Sequence, residues 1–147
     1  MLTEKQIELI NTSFEKVGAN RPELIEMFYT RLFCLEPELR EEFETKYRNQ
    51  TLSIDSLLQM ALLATQNPSA VARVLRAIGV KNAKLGQSSS HYPIINEILI
   101  DTLAAEAGDI WTPEVSIAWS TLLGFVSQTM VEGAESVEAG EPLMFGT

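Results

Sequence analysis

The chain has 147 residues, 46% of them hydrophobic, and a net charge of −9. That suits one domain with a core large enough to need no staples, and no apolar run approaches the ~18 residues of a membrane span. Its one cysteine, Cys34, excludes an internal disulfide framework and fits a reducing, cytoplasmic setting. The distribution of charge is more informative than its sum. Residues 1–84 carry 11 basic and 11 acidic side chains, whereas residues 85–147 carry nine acids and no Lys or Arg. All the net charge therefore lies in the C-terminal part. Such a surface repels phosphate backbones and anionic headgroups, which argues against nucleic acid and against membrane insertion.

In chain order, the first expected helix opens at Thr3 and Gln6, a capping-box pair in which each side chain satisfies the other's free backbone N–H. Ile7, Ile10, Phe14 and Val17 recur at helical spacing, and Gly18 is the stop. A second helix starts at Pro22, where the missing N–H has no partner to lose, and takes Leu24, Ile25, Phe28, Leu32 and Leu35 as its apolar face. Pro37 marks a restart, with a short turn from Leu39 to Phe43. Residues 44–50 read as a polar loop. Helicity resumes near Ser53 or Asp55, runs through Leu57, Leu58, Ala61 and Leu62, and ends at Asn67-Pro68. Another helix holds Val71, Val74, Leu75 and Ile78, and 86–90 is a loop. Pro93 begins a helix that ends at Gly108. Thr112-Pro113 caps a long apolar helix to about Val131. With no alternating β pattern, the fold class is all-α with six to eight helices. The domain is expected to span 1–133, with 134–147 as an acidic, frayed tail.

Catalytic constellations are scarce. His91 is the one histidine, and no nucleophile elbow, phosphate loop, zinc-binding or calcium-binding pattern occurs. No pair of carboxylates stands out as acid and base, so a non-catalytic domain is expected. Cys34 reads as a buried packing residue, and Phe28, Tyr29, Phe33, Phe43 and Tyr47 as core. Arg73, Arg76, Lys81 and Lys84 form a basic cluster that either binds an anionic group or is a solvated helix face.

Taken in order, LTEKQIELINTSFEKV and MFYTRLFCLEPELREEF resemble the opening of flavohaemoglobins and related single-domain bacterial haemoglobins. VLRAIGVKNAKLGQSSSHYPIINEILIDTL resembles the family's proximal segment, and GDIWTPEVSIAWSTLLGFVSQTM its final helix. The resemblance spans residues 2–133 and implies a globin fold, a three-over-three helical sandwich, without the reductase domains. It sets Phe43 against the haem face, Tyr29 where a distal tyrosine hydrogen-bonds bound oxygen, and Leu57 in the distal apolar wall. Ser53 falls where the family carries a distal glutamine or histidine, and is shorter. Tyr92 matches a proximal tyrosine, but the glutamate that completes its network has no match in MVEGAESV.

The main departure is Asn82, which stands where the family has its iron-binding histidine. An imidazole nitrogen is a strong axial ligand for haem iron, whereas a carboxamide offers a neutral oxygen suited to hard cations. The resemblance therefore implies a degenerate haem pocket. The expected protein is a haem-free or haem-weak sensory, regulatory or interaction module, with Tyr29, Phe43, Leu57 and Ile78 lining a cavity for an apolar small molecule and no metal at Asn82. The alternative is haem held by His91 or Tyr29, with oxygen or nitric oxide binding and dioxygenase- or peroxidase-like chemistry. The acidic C-terminal part is expected to meet a basic protein partner, in a monomer or hetero-complex.

Overall fold

The computed structural model of the chain describes residues 2–18, 21–45, 54–84 and 91–138. They form seven α-helices: α1 (Glu4–Gly18), α2 (Arg21–Leu35), α3 (Pro37–Thr45), α4 (Ile54–Ala64), α5 (Pro68–Lys84), α6 (Tyr92–Ala107) and α7 (Pro113–Glu138). No strand occurs among the described residues, so the all-α expectation holds.

The helix starts follow from local chemistry. Thr3 and Gln6 make the reciprocal capping box, with Thr3 N–H donating to Gln6 Oε1 at 3.0 Å and Gln6 N–H to Thr3 Oγ1 at 3.1 Å. The amide N–H of Ala70 donates to Asn67 Oδ1 at 3.3 Å, so Asn67-Pro68 both ends α4 and opens α5. Thr112 caps α7 by accepting from the Val115 N–H at 3.2 Å. Each such cap contributes about 1 kcal/mol. α6 stops at Gly108, whose φ of 64° is a left-handed conformation that side chains disfavour.

α7 is the hub of the packing. It lies against α1, α5 and α6, while α2 packs on α6 and α3. The core is continuous and includes Ile10, Leu24, Phe28, Leu32, Leu58, Leu75, Leu99, Leu103, Trp119 and Leu123. Trp119 is wholly buried, and its indole N–H donates to Ser13 Oγ at 2.9 Å, tying α7 to α1. Phe14 leans on the same indole, with ring centroids 6.3 Å apart. Asn96 on α6 donates to the Leu123 carbonyl at 3.3 Å and to Ser127 Oγ at 2.6 Å.

α5 and α7 meet backbone to backbone. A Cβ added at Gly79 would collide with the Met130 carbonyl oxygen, and one at Gly133 with the Arg76 carbonyl oxygen. Each helix thus presents one glycine, three residues from the carbonyl that receives the other. No larger residue allows this approach.

Three expectations are corrected. α7 runs to Glu138, not to about Val131, and buries Gly133 and Ala134 beyond that point. Those residues are too small to register in an apolar period, yet they are what close helix packing requires. Cys34 is exposed, and so is Leu35, at 65%. Both fall in the last turn of α2, past the point where Leu32 closes its buried face. The loop expected at 86–90 lies outside the described residues, as does most of that expected at 44–50; α3 continues to Thr45.

Candidate functional site

Asn82 sits in the last turn of α5, three residues past the Gly79 contact that presses this helix on α7. It is 4% exposed. Its Nδ2 donates to Tyr92 Oη at 3.4 Å, across the junction of α5 with α6. Its Oδ1 is fully buried and has no hydrogen-bond partner. A carboxamide has two donors and two acceptor lone pairs, so this one is poorly satisfied, and an unmet buried acceptor costs about 1–3 kcal/mol. Tyr92 is itself buried at the start of α6. Burial holds its phenol above the ordinary tyrosine range, and the hydrogen bond from Asn82 offsets only part of that.

The α2 side supplies Tyr29. Its hydroxyl accepts from the Ile54 backbone N–H at 3.5 Å, which anchors the first residue of α4. Its ring meets Phe28 edge-on at 5.2 Å and stacks with Phe33 at 5.7 Å. Burial raises its pKa, and the Ile54 bond partly opposes this. Leu57, one turn after Ile54, is buried, and Ile78, one turn before Asn82, is half-buried against the core. Tyr29 also lines an open surface cleft with Glu26, Thr30, Phe33, Cys34 and Arg40.

The remaining sequence candidates are placed less centrally. His91 is the half-buried N-cap of α6. It lies near Glu36 and Glu38 at the α2–α3 corner, where the hydrogen bond between the two carboxyls holds the Glu36 group above its usual range. Ser53 and the side chain of Phe43 lie outside the described residues. Among the described residues, no group of three His, Cys, Asp or Glu could hold a metal ion. Arg73, Arg76, Lys81 and Lys84 are all exposed on α5, and Arg76 reaches Glu132 of α7 at 3.8 Å.

What sequence reasoning missed is the pairing of Asn82 with Tyr92 and the role of Ile54 in holding Tyr29. Both are contacts between elements. The ten-residue spacing of the first pair and the helix start at Ile54 carry no local signature.

The Asn82 side chain itself does not suit an axial bond to haem iron. The Asn82 nitrogen is engaged by Tyr92, and an amide nitrogen has no lone pair to give. Its oxygen is a hard donor enclosed by protein atoms.

Comparison with known proteins gives a consistent picture. A family profile described as Globin matches residues 26–130, well over half of the chain. A flavohemoprotein of Rhizobium meliloti is 27% identical over 92% of this chain and 34% of its own length. Leghemoglobin-1 of Lupinus luteus is 27% identical over 82% of this chain and 87% of its own. This chain thus spans about a third of such flavohemoproteins. Among solved structures, an engineered carbene transferase from Rhodothermus marinus superimposes with a TM-score of 0.76 at 25% identity, covering 95% of this chain and 98% of that one. A bacterial globin from Campylobacter jejuni gives 0.70 at 18% identity, covering 93% and 99%. No helix among the described residues is long and apolar enough to cross a membrane.

Proposed function

The chain belongs to the globin family, and we propose that it is a globin without ordinary haem ligation, used as a sensory or regulatory module. The observation that carries this reading is Asn82. The resemblance assigns it the position of the iron-binding histidine, and it is buried with its amide nitrogen bonded to Tyr92. Without an Fe–N bond, haem would rest on apolar contacts and propionate pairing alone. The names of the relatives, flavohemoprotein and leghemoglobin, make haem the ligand to test first.

The test is a haem titration of the purified protein followed by absorption. The wild type is expected to give no sharp Soret band and no one-to-one endpoint. Asn82→His is expected to restore both, because it returns an imidazole to the same turn of α5. Tight, stoichiometric haem binding by the wild type would refute the reading, and would point to ligation through Tyr29 or His91. If Asn82→His also stays colourless, the change lies in the cavity as a whole and not in one ligand.

A further inference from the structure

We infer that the solvent face of α7 is a docking surface for a cationic amphipathic helix of another protein. Exposed residues recur along this helix at Glu114, Ile117, Thr121, Gly124, Gln128, Glu132 and Glu135. These spacings of three and four place all seven on one straight stripe. No charged residue occurs from Val115 to Val131, so the stripe is uncharged in its middle and acidic at both ends. Ile117, in the second turn of α7, is 59% exposed and is the large apolar side chain the stripe offers.

Beside the stripe runs an apolar groove of about 300 Å³, which Thr121, Gly124, Phe125 and Gln128 line together with Leu2 and Pro68. A Cβ at Gly124 would meet nothing within 4 Å, so the backbone is open to close approach.

Charge complementarity selects the occupant. The whole chain carries −9, and the acids Glu114 and Glu132 stand about 27 Å apart at 1.5 Å per residue. Arg76 of α5 already pairs with Glu132 at 3.8 Å, so Glu135 is the acid a partner meets at that end. A helix of roughly 18 residues would match this span. It would lay apolar side chains on Ile117 and into the groove, and Lys or Arg near the two acidic ends. A second copy offering the same face would set acid against acid. The surface lies outside the pocket, so this inference and the haem reading fail independently.

The test uses the full chain and a fluorescent 18-residue Leu/Lys amphipathic peptide, with a peptide of the same composition in scrambled order as control. Anisotropy is expected to show the amphipathic peptide binding at least tenfold more tightly. Binding should weaken by about tenfold or more as salt shortens the screening length from about 10 Å to about 3 Å. Ile117→Lys, and separately Glu114→Lys with Glu135→Lys, should each weaken it about tenfold while circular dichroism and the urea midpoint stay unchanged. Thr121→Lys is an independent check on the stripe. Equal binding of the scrambled peptide would overturn the inference, as would binding indifferent to these variants, or no binding. So would self-association in sedimentation that Ile117→Lys abolishes, since the face would then be covered by a second copy.

Discussion

The Asn82–Tyr92 pair makes a sharp energetic prediction. Asn82 has one long hydrogen bond, at 3.4 Å, and an unmet acceptor in a position 4% exposed. Asn82→Leu removes the unmet acceptor, a relief of about 1–3 kcal/mol, but leaves the buried Tyr92 hydroxyl without its partner at a similar cost. The single variant should therefore lie within about 1 kcal/mol of wild type. Tyr92→Phe takes the partner from Asn82 Nδ2 and leaves the carboxamide wholly unsatisfied, so it should destabilise by about 1–2 kcal/mol. In the double variant both polar groups are gone, and it should be as stable as wild type or more stable by about 1 kcal/mol. The interaction energy then favours the pair of changes by about 2 kcal/mol over the sum of the single effects. Leu is bulkier than Asn, so the lower end of each gain is the expectation. The assay is urea unfolding at 25 °C, read only if the m-value is constant across the four proteins. A double variant more than about 1 kcal/mol less stable than wild type, or strict additivity, would refute the reasoning.

Other consequences are simpler. Ser13→Ala leaves the buried Trp119 indole N–H without an acceptor and should cost about 1–3 kcal/mol in urea unfolding. Gly79→Ala places a methyl group on the Met130 carbonyl and should cost about 3 kcal/mol, with Ala77→Gly, at an exposed position of the same helix, as a control losing about 1 kcal/mol. Tyr29 and Tyr92 have phenols whose pKa is raised by burial, so the folded state holds these protons more tightly than the unfolded one. Their contribution is complete below the unfolded value near 10 and is lost as pH rises through and above it. The urea midpoint should therefore fall steeply above about pH 10, and Tyr92→Phe should flatten that fall.

The helix ends were legible because their causes are local. Thr3 with Gln6, Asn67-Pro68, Thr112-Pro113 and Gly108 each act within four residues, and the structure has all of them. The α7 end was misjudged for the opposite reason. Its last turns are held by small residues against another helix, and Gly133 is indistinguishable in sequence from a helix breaker until Arg76 is seen opposite it. In the site, the type of residue at position 82 was legible from resemblance. Its environment was not, because the Tyr92 bond depends on how α5 and α6 meet. The acidic C-terminal part resolved into a pattern the count concealed. On α7 the acids crowd the ends, and Arg76 of the basic cluster faces one of them at 3.8 Å.

The bond between Trp119 and Ser13 joins residues 106 positions apart. During synthesis α1 emerges well before the Trp119 that binds Ser13, with α2 and later α6 as its earlier packing partners. At a translation rate of about 5–20 residues per second, α1 waits on the order of 5–20 s before its anchor exists. Closing so long a loop is also entropically slow. α1 therefore lacks its Trp119 anchor for most of the time this domain takes to be made. A stalled ribosome short of Trp119 would expose an amphipathic helix that the finished protein buries.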